Sequence, residues 1–207
     1  MNEEPTVFVV DDDEDFCEAL RWLLESDGLA VEAHHSAESY LESFDPRRPG
    51  VLLLDVRMAS MSGLELHRIL IERGFGIPVI FLTGHGDVPM AVESVKRGAV
   101  DFLQKPVRDQ VLIDRIRAAI DIDTRRRAAA EAQQEIRDRF ATLTPREREV
   151  MKLIVAGHPN KRIAAMLCVS EKTIEVHRKH VMSKMGVHSA VELVRVVVAI
   201  EQSEPDS

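Results

Sequence analysis

Four short segments carry side chains whose types and spacing could do chemistry. Three carboxylates, Asp11-Asp12-Asp13, follow the apolar stretch Thr6 to Val10; Asp55 follows Val51 to Leu54; Thr83 follows Ile77 to Leu82; and Lys105-Pro106 comes shortly after Val100 to Leu103. Carboxylates crowded together repel, so such a cluster calls for a cation. Hard oxygen donors suit an octahedral ion that keeps several of its waters, which points to Mg2+. Beside that charge one carboxylate can attack phosphorus and form an acyl phosphate, while a lysine neutralises the phosphoryl oxygens and a hydroxyl holds another of them. Asp55 suits the nucleophile, Asp11 and Asp12 the metal ligands, Lys105 the cation and Thr83 the hydroxyl. Any one strand-end Asp is more often a turn former or helix cap, and a lone lysine a solvated charge. The specific signal is the joint pattern.

For these groups to meet, the apolar stretches must be neighbouring strands. Runs at Thr6 to Val10, Leu29 to Ala33, Val51 to Leu54, Ile77 to Leu82 and Val100 to Leu103 are separated by segments long enough for helices, the mark of βαβ units. The runs at Val51 and Ile77 are apolar nearly throughout, as central strands covered on both faces must be. Glu14 to Ser26 reads as a helix with Leu20, Leu23 and Leu24 on one side and Gly28 just past its end; Gly74 and Gly98 punctuate two later helices. The prediction is a doubly wound α/β domain over residues 1–120, with a five-stranded parallel sheet whose carboxyl edge gathers the acidic cluster.

Beyond it, DIDTRRRAAAEAQQEIRDRF lacks Gly and Pro and is rich in helix formers, which predicts a long helix with residues 121–140 as a solvated spacer. A second domain over 141–203 reads as four short helices. Thr144, Pro145 and Glu147 have the spacing of a capped helix start, Gly157 a stop; Asn160 to Leu167 is a short helix, Ser170 caps one that runs to Met185 before Gly186, and Ser189 caps the last. Two helices joined by the tight Cys168-Val169-Ser170 connection, the second carrying charge, form a helix-turn-helix pattern, so the whole is an α/β domain joined by a long helix to a small all-α one.

The net charge of -8 seems to argue against a nucleic-acid partner. Ten of the 27 basic but only eight of the 35 acidic residues lie from 140 onward, however, and residues 140 to 200 carry +5. That is a modest basic footprint suited to phosphate. No apolar stretch approaches the roughly 20 residues of a membrane span, and the acidic start MNEEPTVF is unlike a secretory signal, so a cytoplasmic protein without a membrane partner is expected. Cys17 and Cys168 have no metal-ligand spacing and read as small core residues.

The segments VVDDDE, LLLDVRM, FLTGHGDV and AVDFLQKPV resemble the signature segments of response-regulator receiver domains, which have the flavodoxin/CheY-like fold. LTPREREVMKLIVAGHPNKRIAAMLCVSEKTIEVHRKHVMSKMGVHSAVELV resembles the LuxR-type helix-turn-helix. Together they resemble two-component response regulators of the FixJ and NarL type, closest to FixJ, over nearly the whole chain. The resemblance implies phosphorylation of Asp55 by a sensor histidine kinase, with Mg2+ held by Asp11, Asp12, Asp55 and the Arg57 carbonyl. It implies Thr83 and Phe102 as a switch pair, with Lys105 binding the phosphoryl group. It further implies homodimerisation on phosphorylation through Asp87 to Arg97 and Val100 to Gln104, regulated binding to promoter DNA, and RNA polymerase as a partner. By position Glu175, Val176 and Lys179 read bases, with Thr173 beside them, and Lys161, Lys172, Arg178 and Lys184 contact phosphates. The chain departs from the receiver pattern at Ala59, where proline is common, which leaves φ less restricted there.

Two other readings are weaker. An aspartyl-phosphate phosphatase normally has a second Asp two residues after its nucleophile, where this chain has Arg57, so no enzyme is expected. A receiver whose tail binds only protein would not need a basic third helix. No GxxxxGK[ST] loop marks an ATP-driven activator.

Overall fold

The computed structural model describes residues 4–84 and 98–201, without side chains from 199 on, and divides into two units, one ending at Arg127 and the other beginning at Ala128. The first is built on strands β1 (Thr6–Val10), β2 (Ala30–His34), β3 (Gly50–Asp55), β4 (Val79–Thr83) and β5 (Asp101–Gln104). All neighbours pair in parallel, in the order β2-β1-β3-β4-β5. This is the doubly wound α/β sheet expected from the alternating runs. β4 starts two residues later than the apolar run suggests because Pro78 lacks an amide; its carbonyl instead accepts from the Leu52 N–H at 2.9 Å.

Side chains alternate across each strand, so the sheet has two apolar faces. One carries Val7, Val9, Leu53 and Ile80 beneath Leu20 and Leu24 of α1 (Glu14–Ser26) and Leu112 and Ile116 of a later helix. The other carries Phe8, Leu52, Leu54 and Phe81 beneath Tyr40 of α2 (Ala37–Ser43) and Leu66 and Leu70 of α3 (Gly63–Glu72). The helix expected at Asp87 to Arg97 lies outside the described residues.

The helix α4 is continuous over Asp109–Ala141. Sequence reasoning reads residues 121–140 as a solvated spacer, whereas the structure buries part of its first turns. Asp123 is only 1% exposed, accepts from the Gly50 N–H at 3.0 Å, and pairs with Arg126 at 2.7 Å and Arg127 at 2.6 Å. Arg127 in turn donates to the carbonyls of Arg47 and Arg48, at 2.8 and 2.6 Å. These turns of α4 are therefore fastened to the loop before β3, and they belong to the first unit.

The second unit packs α5 (Pro145–Val155), α6 (Asn160–Met166), α7 (Glu171–Met185) and α8 (Ala190–Glu201) around Val150, Ile163, Ile174, Val181 and Leu193. The start of α5 is a full capping box: Glu147 N–H donates to Thr144 Oγ1 at 3.2 Å, and Glu147 Oε2 accepts from the Thr144 N–H at 2.8 Å. Gly186 ends α7 in the left-handed conformation at φ 68. Cys17 is buried, whereas Cys168, expected in a core, is exposed. It sits at φ 53 in the turn between α6 and α7, where backbone reversal turns its side chain outward. Among the described residues no helix is long and apolar enough to cross a membrane.

Candidate functional site

The chain direction of a parallel sheet brings the ends of β1, β3, β4 and β5 to one edge, and a pocket of about 260 Å³ opens there. Asp11, Asp12, Asp13, Asp55, Arg57, Thr83, Gly84 and Lys105 line it. Asp55 is the last residue of β3 and Thr83 the last of β4, and both are buried. The Lys105 N–H donates to the Thr83 carbonyl at 2.7 Å, which carries the β5 pairing one step past the strand and sets the lysine over the pocket. The peptide bond that follows, Lys105-Pro106, is cis.

Lys105 Nζ bridges two carboxylates, donating to Asp11 Oδ2 at 2.5 Å and Asp55 Oδ1 at 2.8 Å, and lies 3.9 Å from the centre of the Phe16 ring. The other oxygen of Asp55, Oδ2, accepts from the Arg57 N–H at 2.6 Å. The Asp55 carboxylate is thus held at both ends. Asp11 Oδ1 accepts from the Asp13 N–H at 3.0 Å, and Asp13 itself caps α1 by accepting from the Phe16 N–H. Burial pushes the Asp11 carboxyl above its ordinary range, against the lowering effect of the Lys105 bond. Burial acts to lower Lys105, but its bonds to Asp11 and Asp55 outweigh that and hold it above its usual value, so it stays charged. Cys17, whose thiol donates to the Asp11 carbonyl, is pushed up to about 11 by burial and is inert as a nucleophile.

Asp12 is exposed, and its Oδ2 accepts from the Ala59 N–H at 2.9 Å. Where the sequence suggests a freer loop for want of proline, the structure holds that loop by this hydrogen bond. Among the described residues no three carboxylate, imidazole or thiol groups converge into a ready-made metal cage. The pocket nevertheless suits magnesium: its donors are hard oxygens, and the carboxylates lining it outnumber the cations.

Phe102 does not line the pocket. It stands opposite Phe81 in the β4–β5 register, ring centres 6.2 Å apart, partly buried against the second apolar face. Sequence reasoning overlooks Gly63. A Cβ there would come within 2.0 Å of the Asp55 carbonyl oxygen and 2.8 Å of Leu54 Cγ, so only glycine lets α3 start so close behind Asp55. No local signal marks it, because the obstacle is a residue on another element.

In the second unit, Ser170 Oγ accepts from the Thr173 N–H at 3.1 Å and its side chain is also bonded to the Thr173 hydroxyl at 2.8 Å, fixing the start of α7. Lys172, Glu175, Val176 and Lys179, spaced so that 172/175 and 176/179 are three apart and 172/176 and 175/179 four apart, lie on its exposed side, Val176 being 50% exposed; Lys161 is exposed on α6. Arg178 is half-buried, and its guanidinium reaches Asn160 Oδ1 at 3.3 Å, tying α7 to the start of α6. Lys184 differs from expectation. It donates to Glu147 Oε2 at 2.6 Å and to the Thr142 carbonyl at 3.1 Å, because the capping carboxylate of α5 is buried and needs a counter-charge. Its ammonium is committed inside the unit rather than offered to phosphate. With the Thr144 bonds, this lysine holds Glu147 down at about 2.

Comparison with known proteins matches both halves. The family model described as response regulator receiver domain matches residues 7–117, and that of bacterial regulatory proteins, luxR family, matches 141–197. The chain is 47% identical to the transcriptional regulatory protein FixJ of Rhizobium meliloti, over 94% of this chain and 95% of that one. It is 43% identical to the response regulator protein TodT of Pseudomonas putida, over 95% and 87%. Among solved structures it resembles the response regulator StyR at 44% identity and TM-score 0.90, over 95% of this chain and 99% of that one. It also resembles full-length FixJ from B. japonicum at 38% identity and TM-score 0.58, over 97% and 98%.

Proposed function

The chain belongs to the two-component response regulators, a receiver domain followed by a LuxR-type DNA-binding domain, and from that premise we propose that Asp55 is its phosphoacceptor. The observation that carries the reading is the Lys105 ammonium joining Asp11 to Asp55 in a pocket that Thr83 completes. A phosphohistidine of a sensor kinase is the donor. An oxygen of Asp55 forms a bond to phosphorus as the P–N bond breaks, and the electron pair leaves on the imidazole nitrogen, which takes up a proton. Lys105, charged and already beside Asp55, neutralises a phosphoryl oxygen, and the Thr83 hydroxyl holds another. Asp11, Asp12, Asp55 and the Arg57 carbonyl would hold Mg2+, which would offset the negative charge of carboxylate and phosphate. The chain has no catalytic turnover of its own in this scheme.

Phosphorylation then promotes pairing of receivers and sequence-specific binding of promoter DNA by the second unit, in the cytoplasm and in contact with RNA polymerase. A single module of this size gives a small interface with DNA, which is why two copies are needed for useful specificity. The test is a gel shift of promoter DNA with a small phosphodonor and Mg2+. Addition of the donor tightens binding by the wild type, labelled phosphate remains on the protein, and Asp55→Asn abolishes both while staying folded. Equal labelling of Asp55→Asn would refute the assignment.

A further inference from the structure

Among the described residues the Lys105 ammonium meets three groups: Asp11 Oδ2, Asp55 Oδ1 and the face of the Phe16 ring, whose centre is 3.9 Å from Nζ. An ammonium has three N–H bonds and no acceptor. Two of the bonds are taken by the carboxylates, and the ring covers a further side with the negative face of its π system. That attraction is strongest where water is excluded, and the Lys105 side chain is only 19% exposed.

Phe16 is not among the residues lining the pocket, so it can act there only through Lys105. It is the third residue of α1, and its N–H donates to Asp13 Oδ1 at 3.0 Å, so the cap that starts the helix fixes its backbone. Its side chain packs, partly buried, against the apolar cluster that holds Cys17 and Leu20. The ring is thus held from the backbone and from beneath, whereas the lysine stem that reaches it is flexible.

Phosphoryl transfer alters the other two partners of the ammonium. Asp55 gives an electron pair to phosphorus, so its Oδ1 must yield the ammonium to an oxygen of the phosphoryl group. Asp11 is a candidate ligand of Mg2+, and a carboxylate shared with a divalent cation holds an ammonium less strongly. The ring takes part in neither exchange.

We propose that Phe16 is a positioning residue for phosphorylation of Asp55: its ring holds the Lys105 ammonium over the pocket while the ammonium exchanges the Asp55 oxygen for an oxygen of the phosphoryl group. This rests on the reading of Asp55 as the phosphoacceptor. The experiment compares the full chain as wild type, Phe16→Tyr, Phe16→Leu and a variant with tetrafluorophenylalanine at position 16, a ring of nearly the same shape that lacks the negative face. In NMR spectra taken without Mg2+ or phosphodonor, the Cε protons of Lys105, identified by their absence in Lys105→Arg, lie upfield in the wild type and Phe16→Tyr because they sit over a ring. In Phe16→Leu they return to the ordinary lysine position. With labelled acetyl phosphate and Mg2+, the initial rate of labelling falls by about threefold to tenfold in Phe16→Leu and in the fluorinated variant, and stays within about twofold of wild type in Phe16→Tyr. A packing role alone would slow Phe16→Leu and spare the fluorinated variant. That outcome, wild-type rates in both, an equal loss in Phe16→Tyr, or Lys105 protons at the ordinary position in the wild type would each overturn the proposal. A wild type that takes up no label, or takes it up equally well after Asp55→Asn, overturns the Asp55 reading instead, and the Lys105 resonances still show whether the ring holds the ammonium.

Discussion

Replacing Asp123 by alanine should cost the first unit far more than its place in a charged stretch of helix suggests. The carboxylate is 1% exposed and holds three donors: the Gly50 amide, Arg126 and Arg127. Alanine leaves the buried Gly50 N–H without an acceptor, at about 1–3 kcal/mol. The two guanidiniums are partly solvated, so each lost pair contributes no more than about 1 kcal/mol. The sum is about 3 kcal/mol. For a unit of this size each kcal/mol corresponds to roughly 3–5 °C, so the midpoint of its thermal unfolding should fall by about 10 °C. Asp123→Asn keeps an acceptor for Gly50 and loses only charge, so it should fall by less than half as much. Hydrogen exchange locates the effect: in the alanine variant the peptide spanning residues 47–55 loses protection, while the second unit is unchanged. A midpoint within 2 °C of wild type, or exchange that rises equally throughout, would show that these turns of α4 are not fastened as described.

Gly63→Ala drives a methyl group into the Asp55 carbonyl, and overpacking of this kind costs about 1–3 kcal/mol; the initial rate of labelling by a small phosphodonor should drop because the backbone that must yield carries the proposed acceptor, Asp55. Glu147 is held down at about 2 against an ordinary value of 4.5, so its contribution to the second unit is complete above pH 4.5 and fades as pH falls toward 2. Urea midpoints between pH 5 and 3 should therefore fall more steeply in the wild type than in Glu147→Gln, where that part of the acid dependence disappears. Lys184→Met should destabilise the second unit with little change in the salt dependence of DNA binding, whereas Lys179→Met should flatten that dependence and leave stability within about 0.5 kcal/mol of wild type.

Much of the pocket was legible because strand polarity alone delivers it. Asp11, Asp55, Thr83 and Lys105 follow apolar runs, and parallel pairing must then place them at one edge. Helix ends in the second unit were equally readable, since the Thr144–Glu147 box and Gly186 act within a few residues of themselves. The features that escaped depend on partners far along the chain. Asp123 looks like any acid in a polar helix until Gly50 is brought against it, Gly63 like an ordinary turn residue until the Asp55 carbonyl closes behind it. Lys184 looks like a phosphate-binding cation until the buried Glu147, 37 residues earlier, claims it. Each is a tertiary demand on a residue whose local sequence has no need of it.

The Ala59 amide bears on how this position can vary. Proline would stiffen the loop through its ring but has no hydrogen to give Asp12, whereas alanine leaves the torsion loose and supplies the hydrogen. One residue cannot offer both restraints. Grafting the commoner imino acid onto this chain therefore trades one form of control over an acidic metal-ligand candidate for another, and sequence identity at that site is a poor guide to whether two such proteins keep their bound phosphoryl group for the same length of time.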